Sequence, residues 1–495
     1  MEVWNESHLA DLLRERLGDA QLVVVSNREP YVHSLEEGQV RCLRPASGLV
    51  TALDPVLEAA GGLWVAHGGG AADRKVVDAE GKLAVPPEAP RYTLKRVWLT
   101  EEEEAGYYDG LANEALWPLC HIAYVRPVFR EADWRHYTQV NRLFARAVLE
   151  ELDGEACIWL QDYHLGLLPR LLKEARPEAR IGHFWHIPWP TPEVFGLAPW
   201  RRELLEGLLG ADVLGFHIRC HCDNFLDTVA RELEAKVDRE TSTIVYRGHA
   251  TRVRPFPIGV DFERITREAE GPAVREEMER LRNRYGLHHE LIGLGLDRID
   301  YTKGIAERLA AVERFLQMFP EYRKRIVFCQ AGVPSRTRIG RYRALGVRIE
   351  RMAREINRRH GTPEWQPVCL IREHLSPVQI LALYRMAHCL VVSSLHDGMN
   401  LVAKEYVAAR SDLGGTLLLS RFAGAARELQ EALQINPYDV EGMARRLRDA
   451  LEMPPGERRL RMERLRLTVR EQNIYRWAGT MLDALLRLPR KELVG

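Results

Sequence analysis

The sequence has no excess of charge of either sign, because its 495 residues include 70 lysines and arginines and 70 aspartates and glutamates. This balance argues against a dedicated nucleic-acid or membrane-surface binder, since both need a net basic surface. No apolar run approaches the roughly 20 residues that span a bilayer. The N-terminal segment is charged and has no apolar centre of the kind found in signal peptides, so we expect a cytoplasmic protein with no membrane or nucleic-acid partner.

The eight cysteines form no recognisable metal or disulfide pattern. Several lie in apolar, strand-like runs, where a thiol packs as a small hydrophobic side chain. The segment 217–222 contains two histidines and two cysteines, but their spacing fits no common zinc site. A disulfide framework is not expected in a large cytoplasmic chain.

Apolar, strand-like runs alternate with helical patterns along almost the whole chain. This alternation predicts an α/β fold with parallel sheets and helices on both faces of each sheet. The predicted strands are 21–26, 156–160, 181–184, 213–216, 291–296, 325–330, 368–372, 389–394 and 415–420, and predicted helices include 165–173, 304–318, 339–357 and 377–386.

A charge-dense segment between about residues 257 and 290 interrupts this alternation. We interpret it as the join between two doubly wound, Rossmann-like domains, 1–258 and 259–472, followed by a helix, 473–495, that packs back across the join. Ligands of such sheets bind outside the carboxyl ends of the strands. The two domains are therefore expected to face each other across a cleft.

The turn at Asp397-Gly398 lies between the strand 389–394 and a predicted helix. A helix that begins just past a strand presents unpaired backbone N–H groups and the positive end of its dipole, which together can hold phosphate. Asp397 in the turn and Glu405 in the helix could then bind sugar hydroxyls. A glycine turn before a helix is more often only structural, so this hypothesis depends on the other motifs.

Two cations follow the strand 291–296. Arg298 and Lys303 lie on one short loop and can converge on a diphosphate, Arg with its planar fork and Lys with a compact charge. The alternative is a solvated turn in which Asp300 pairs with Arg298 or Lys303. The sequence contains no Asp-X-Asp, the motif with which many nucleotide-sugar transferases hold a metal. Two fixed cations and a helix N-terminus could replace the metal, so we expect no metal and no cofactor.

Two further arginines each follow a predicted strand. Arg28 comes after the first strand, and Arg336 comes after the strand 325–330. Together they could clamp a phosphate monoester, and the alternative is two surface arginines, with Arg28 paired to Glu29.

Asp162 and His186 end two more strands and are placed to contact a substrate. The alternative for His186 is a core histidine satisfied by the backbone. Short glycine loops at 47–49 and 68–70 could admit a phosphate or a sugar close to backbone N–H groups, although most such loops are only turns.

Taken together, seven stretches resemble the trehalose-6-phosphate synthases, which are retaining glycosyltransferases with the two-domain GT-B fold. The resemblance runs from about residue 21 to 488. The matching stretches are 24–28, 113–118, 159–164, 186–193, 298–304, 397–406 and 420–425.

The resemblance implies a role for each matching residue. Arg298, Lys303, His186 and Asp397 would be catalytic. The nucleotide-glucose donor would be bound by Gly48, Arg298, Lys303, Asp397, Gly398, Met399, Asn400, Leu401, Val402 and Glu405. The acceptor would be bound by Arg28, Tyr108, Trp117, Asp162 and Arg336.

The implied reaction transfers glucose to glucose 6-phosphate, with UDP-glucose as the expected donor and GDP- or ADP-glucose left open. The segments Glu29–Tyr31 and His67–Gly70 depart from the family pattern on the acceptor side. One alternative is therefore a glucosylglycerol-phosphate synthase that uses glycerol 3-phosphate. Another is a non-catalytic sugar-phosphate sensor, which would be expected to have lost the donor residues. We expect a separate phosphatase to act on the product, and a homo-oligomer is left open.

Overall fold

The structure, a computed structural model, describes residues 3–44 and 48–488, and these form two compact units. The C-terminal unit is Gly259–Asn473, and the N-terminal unit joins 3–258 to 474–488. Each unit has its own parallel sheet, which confirms the predicted α/β class. Among the described residues, no helix is long and apolar enough to cross a membrane.

The N-terminal unit begins with a helix and then alternates strands and helices. Its strands are β1 (Gln21–Arg28), β2 (Val32–Glu36), β3 (Gln39–Leu43), β4 (Leu63–His67), β5 (Lys82–Val85), β6 (Tyr92–Val97), β7 (Ala156–Gln161), β8 (Arg180–Phe184), β9 (Val213–Phe216), β10 (Lys236–Asp238), β11 (Thr243–Tyr246) and β12 (His249–Pro255). Its helices are α1 (Glu6–Leu17), α2 (Gly48–Ala60), α3 (Glu101–Glu104), α4 (Trp117–His121), α5 (Glu131–Leu149), α6 (Leu168–Ala175), α7 (Pro192–Phe195), α8 (Arg201–Leu208) and α9 (Arg219–Glu232), with a π-helical segment, Ala105–Leu116, between α3 and α4.

The C-terminal unit has the same alternation. Its strands are β13 (Leu291–Ile299), β14 (Ile326–Pro334), β15 (Val368–Ile371), β16 (Cys389–Val392), β17 (Thr416–Ser420) and β18 (Leu433–Ile435). Its helices are α10 (Phe262–Ala269), α11 (Pro272–Tyr285), α12 (Ile305–Met318), α13 (Gly340–His360), α14 (Pro377–Met386), α15 (Leu401–Ala409), α16 (Val440–Glu452) and α17 (Pro455–Glu471). The last helix, α18 (Ile474–Leu486), belongs to the N-terminal unit.

The two larger sheets share one strand order, and β2 pairs with β3 in a separate two-stranded sheet. The C-terminal sheet runs β15-β14-β13-β16-β17-β18, and all its pairs are parallel. The parallel part of the N-terminal sheet runs β6-β4-β1-β7-β8-β9-β12, with antiparallel strands added at both edges. In each sheet the later strands are added on the opposite side of the first strand from the earlier ones. The switch point therefore lies between β13 and β16 in one sheet and between β1 and β7 in the other. Ligands of doubly wound sheets bind at this switch point.

Burial explains why the strands read as apolar runs. Val23, Val24 and Val25 in β1 are fully buried, as expected for a strand covered on both faces. In α18, the Trp477 ring packs 4.8 Å from the Trp159 ring of β7 and 5.2 Å from the Phe184 ring of β8, measured between centroids. The last helix therefore forms part of the core of the N-terminal unit.

Candidate active site

The switch point of the C-terminal sheet brings two loops together. One loop follows β13 and leads through a turn of 3-10 helix, Tyr301–Lys303, into α12, and the other joins β16 to α15. Gly293 and Leu294 of β13 are in register with Cys389 and Leu390 of β16. The carboxyl ends of these strands therefore lie side by side, which places the two predicted donor motifs at one edge of the sheet.

An ion pair connects these two loops. The Nζ of Lys303 donates to Oδ2 of Asp397 at 2.5 Å, and both side chains are largely buried. The same carboxylate oxygen accepts from Ser394 Oγ and from Asn400 Nδ2, each at 3.1 Å. Asp397 thus has a fixed position, and it holds the Lys303 ammonium at the switch point.

Asn400 starts the helix that follows this loop. Its backbone has φ 95°, a left-handed conformation that is rare outside glycine, and its side-chain oxygen accepts from the Ala403 N–H at 3.1 Å. Leu401 and Val402 are the first two residues of α15, and Met399 precedes the cap as a buried side chain. The N–H groups of Leu401 and Val402 belong to the first turn of α15, where N–H groups have no intrahelical partner, so this end of α15 can hold an anion.

The segment 420–425 supports the loop from behind. Asp397 N donates to Phe422 O at 3.1 Å, and Ala425 N donates to Met399 O at 2.9 Å. A Cβ on Gly424 would lie 1.9 Å from the carbonyl oxygen of Gly398. Only glycine therefore allows this approach, which explains why the motif has glycine there.

The other two cations of this unit differ in burial. Arg298 lies near the end of β13 and is half-buried. The Arg336 side chain is almost fully buried, the backbone has φ 50°, and Nη1 donates to Asp300 Oδ2 at 3.0 Å and to the Tyr342 hydroxyl at 2.6 Å. Burial alone would raise the pKa of Asp300, but the Arg336 and Arg298 guanidinium groups outweigh it, so that the pKa is lowered.

The alternative pairing of Lys303 with Asp300 is wrong, because Lys303 pairs with Asp397. Asp300 pairs with Arg336, and the Arg298 guanidinium also lowers its pKa, so the pairing of Asp300 with Arg298 stays a prediction. The alternative pairing of Arg28 with Glu29 is not observed, because Arg28 donates to Tyr108 and Glu29 accepts from Arg96 Nε at 2.7 Å.

Glu405 lies in the second turn of α15, half-buried. Its Oε2 accepts from the Tyr384 hydroxyl of α14 at 2.8 Å. Burial raises the pKa of Glu405, and the hydrogen bond from Tyr384 opposes this shift. The remaining acceptor capacity of this carboxylate suits hydroxyl groups of a ligand.

The N-terminal unit places predicted acceptor residues at its own switch point. Arg28 ends β1, is exposed, and its Nη2 donates to the Tyr108 hydroxyl at 3.0 Å. The Tyr108 ring stacks on His164, with centroids 5.5 Å apart. Asp162 follows β7 with φ 74°, and its Oδ1 accepts from Tyr163 N at 2.9 Å and from His186 N at 3.2 Å.

His186 is a neutral imidazole in this setting. Burial, assisted by the neighbouring His183, lowers the pKa of His186 to about 3. Its Nε2 lies 2.8 Å from the carboxamide oxygen of Gln161, so that Nε2 carries the proton and Nδ1 is the acceptor.

Two further predicted residues are placed more simply. Trp117 begins α4 and is buried against the rings of His121 and Tyr163, at 4.0 and 5.9 Å. Gly48 is the first residue of α2. The preceding Ser47 of the same glycine loop lies outside the described residues.

The two segments that depart from the family pattern are joined by one buried network. Arg96 donates to Glu29 Oε2 at 2.7 Å and lies 3.0 Å from Asp73 Oδ1. Glu29 accepts from Gly69 N at 3.2 Å, and Asp73 accepts from Gly70 N at 2.6 Å. The segments Glu29–Tyr31 and His67–Gly70 are therefore joined by one network of hydrogen bonds and ion pairs.

Several residues that support these sites are not among those predicted from the sequence. Gln161 and Ser394 lie close to predicted site residues along the chain, so their position at or just past the end of a strand could have indicated them. Tyr384 and Arg96 gave no such signal, because they reach the site from distant elements. Within the described ranges, no group of three or more His, Cys, Asp or Glu residues could hold a metal ion.

Known proteins match this chain over nearly its whole length. The fold is that of the GT-B glycosyltransferases, which confirms the predicted fold class. The chain belongs to glycosyltransferase family 20, whose family model matches residues 20–487. This membership confirms the predicted enzyme class.

Individual relatives are named as trehalose-6-phosphate synthases. One from Mycobacterium sp. (strain KMS) is 39% identical over 476 residues, which cover 94% of this chain and 95% of the relative. A structure from E. coli bound with UDP-2-fluoro glucose has a TM-score of 0.85 at 31% identity and covers 95% of this chain and 100% of that chain. An alpha,alpha-trehalose-phosphate synthase (UDP-forming) from Burkholderia xenovorans, in complex with glucose-6-phosphate, has a TM-score of 0.84 at 32% identity, over 94% of this chain and 100% of that chain. The predicted resemblance is thus confirmed.

Proposed function

We propose that this chain transfers the glucosyl group of UDP-glucose to glucose 6-phosphate, with retention at the anomeric carbon. The products are α,α-trehalose 6-phosphate and UDP. The observation that carries the proposal is the Lys303–Asp397 pair at the switch point of the C-terminal sheet, in a chain of glycosyltransferase family 20. A cation and a helix N-terminus at one sheet edge suit a nucleoside diphosphate.

The donor roles follow from the chemistry of each group. Lys303 and Arg298 neutralise the diphosphate, together with the N–H groups of Leu401 and Val402 at the start of α15. Glu405 accepts from the ribose hydroxyls, because its carboxylate has acceptor capacity beyond the bond from Tyr384. The glucosyl ring is bound by Asp397, Gly398, Met399, Asn400 and His186, and Gly48 approaches the donor phosphates.

The acceptor roles are assigned in the same way. Arg28 binds the phosphate of glucose 6-phosphate, since its guanidinium is exposed and is oriented by Tyr108. Arg336 is assigned to the same phosphate, because its guanidinium brings a positive charge and a planar donor group just past the carboxyl end of β14. Asp162 accepts from a sugar hydroxyl, and Trp117 shapes the pocket wall.

The reaction requires one bond to break and one to form on the same face of the sugar. The bond from the anomeric carbon to the β-phosphate oxygen breaks, and a bond to the acceptor's hydroxyl oxygen forms. The acceptor's proton passes to the leaving phosphate. Positioning and stabilisation of the leaving charge by Arg298, Lys303 and α15 would supply most of the rate enhancement. We propose that this neutralisation requires no metal, and retained activity in EDTA is the test.

The experiment measures UDP release from UDP-glucose with glucose 6-phosphate and glycerol 3-phosphate as rival acceptors. We expect release only with glucose 6-phosphate, and a loss of about 100-fold to 1,000-fold in kcat/KM for Arg298→Ala. Lys324→Ala, at an exposed lysine of the same unit, is the control. Release only with glycerol 3-phosphate would assign the chain to the alternative reaction. No release with UDP-, GDP- or ADP-glucose would contradict catalysis and favour the sensor hypothesis.

Two wider expectations stay predictions, namely a cytoplasmic location and a separate phosphatase that acts on the product. The oligomeric state is open, and sedimentation of the purified chain would determine it.

A further inference from the structure

A buried arginine connects three elements beneath the donor loop. Arg308, in the first turns of α12, is 1% exposed. Its Nη2 donates to Asp297 Oδ2 at 2.6 Å, its Nη1 to Gln330 Oε1 at 2.9 Å, and its Nε to Ser393 Oγ at 3.0 Å. These partners lie on β13, on β14 and just after β16. One guanidinium therefore links the strands on both sides of β13 to β13 itself.

The network continues to the backbone of Lys303. Ser393 Oγ lies 2.9 Å from the carbonyl oxygens of both Lys303 and Gly304, and Arg308 Nη2 lies 3.4 Å from the Lys303 carbonyl. Gly304 has φ 61°, and a Cβ there would lie 2.1 Å from the carbonyl oxygen of Ser393. The loop that carries Lys303 is thus packed and hydrogen-bonded against the end of β16, on the other side of the switch point.

The surroundings are shaped for this guanidinium. A Cβ on Gly295 would lie 2.3 Å from Arg308 Nη1 and 2.5 Å from Gln330 Oε1, so glycine makes the space that the two side chains occupy. A buried arginine–carboxylate pair adds little net stability compared with apolar side chains of similar volume. Its planar fork does fix several partners in defined directions. The network therefore fixes the relative positions of Arg308 and its partners, and it adds little to the free energy of unfolding.

We propose that Arg308 is a positioning residue for glucosyl transfer. It holds the loop 298–304, through Asp297, Ser393 and the Lys303 carbonyl, in the geometry that binds the donor diphosphate. Arg308 itself is not proposed to touch the substrate. This inference rests on the proposed function for its turnover assay, while its binding assay requires only that the C-terminal unit binds UDP.

The test compares two variants of the network with one matched control. Arg308→Lys keeps a positive charge near Asp297 but cannot reach the three partners together. Ser393→Ala removes only the hydroxyl that touches the Lys303 and Gly304 carbonyls. Arg410→Lys is the control, because Arg410 is also buried in this unit but bonds to Asp412 and to the Tyr384 carbonyl.

Each variant is measured by calorimetric titration with UDP, by the KM for each substrate, by kcat, and by its thermal midpoint. Arg308→Lys should raise the Kd for UDP and the KM for UDP-glucose by about tenfold or more, since bonds to a charged group are lost. The KM for glucose 6-phosphate should stay within about twofold of the wild type. Ser393→Ala should shift the same constants in the same direction by less. Arg410→Lys should lower the thermal midpoint and leave the donor constants unchanged.

Unchanged UDP affinity in folded Arg308→Lys and Ser393→Ala would overturn the proposal. Equal losses for donor and acceptor in Arg308→Lys, with a fall in the thermal midpoint like that of Arg410→Lys, would also overturn it, because they indicate a structural role only. If Arg308→Lys does not fold, Ser393→Ala decides. If the wild type binds UDP but releases none from UDP-glucose with glucose 6-phosphate, the proposed function fails. The ratio of the Kd for UDP of Arg308→Lys to that of the wild type still tests the role of Arg308.

Discussion

At the scale of single residues, the donor half of the site depends on Lys303. Its ammonium is held by Asp397 at 2.5 Å, while Asp397 also accepts from Ser394 and Asn400. Asp397 therefore keeps its position through two other donors when Lys303 turns toward a diphosphate. The lysine is pre-oriented for an anion at little cost in reorganisation.

Replacing Lys303 with glutamine should reduce kcat/KM for UDP-glucose by about 100-fold or more, because a fixed charge on the leaving group is lost. Steady-state kinetics with varied UDP-glucose measure the effect. Lys324→Gln, at an exposed position of the same unit, serves as the control. Activity close to that of the wild type would mean that Lys303 only anchors Asp397.

The Glu29 carboxyl should make stability depend on pH. Burial and the bond with Asp73, opposed by Arg96, raise the pKa of Glu29 to about 9 from 4.5. The folded chain therefore binds this proton at pH values where the unfolded chain has lost it. Stability must then fall as pH rises from 4.5 toward 9.

Glu29→Gln removes this titration while keeping a hydrogen-bonding side chain. Denaturant unfolding at pH 6, 7.5 and 9 should give a smaller decline in unfolding free energy for the variant than for the wild type. Burial and the nearby Arg96 charge lower the pKa of the neighbouring His33 from its usual value of 6.5, so a decline that persists above pH 7.5 is assigned to Glu29. Parallel profiles for the two proteins would mean that Glu29 is already ionised when folded.

Sequence predicted the residues that end strands and could not predict those that arrive from elsewhere. Lys303 and Asp397 follow apolar runs, and the carboxyl ends of neighbouring parallel strands must meet. Arg308 and Tyr384 lie in helices, where an inward arginine or tyrosine looks no different from an outward one. Three predicted site residues have a positive φ, which their residue types do not predict: Asp162, Arg336 and Asn400. Such strain tends to occur at functional sites.

At the scale of elements, the loop between β16 and α15 is shaped by the segment 420–425. The backbone bonds from Asp397 to Phe422 and from Ala425 to Met399 fix the turn that leads into the helix. The sequence motif indicated the segment without indicating its role, because the contact joins residues that are far apart along the chain.

Gly424→Ala should disturb this turn, since its Cβ would lie 1.9 Å from the Gly398 carbonyl oxygen. We expect a loss of about 1–3 kcal/mol in unfolding free energy from overpacking, with a higher KM for UDP-glucose. Gly456→Ala is the matched control, since its Cβ would meet no heavy atom within 4 Å. Equal behaviour of the two variants in both assays would show that the loop has more room than the structure indicates.

At the scale of the whole molecule, the chain forms two large sheets with the same strand order, and its last helix then packs in the N-terminal unit. The alternation of strands and helices predicted both sheets, but not the strand order or the antiparallel edges. The order depends on which strands pair, and apolar runs of similar length do not indicate which partner each strand takes. The final helix, α18, completes the N-terminal unit with Trp477, which is 2% exposed.

Trp477→Ala should destabilise the N-terminal unit by about 3–5 kcal/mol, because a large buried ring is removed. Calorimetry should show the change in the transition of that unit. Trp365→Ala, at a buried tryptophan of the C-terminal unit, should affect the other transition. If both variants shift the same single transition equally, the two units unfold as one.

Glucosyl transfer to a sugar phosphate is tested most directly by NMR of the product formed from ¹³C-labelled UDP-glucose and glucose 6-phosphate. We expect a single disaccharide phosphate in which both anomeric carbons have the α configuration. A β-linked product would contradict retention, and the absence of any disaccharide phosphate while UDP is bound would contradict the proposed reaction itself.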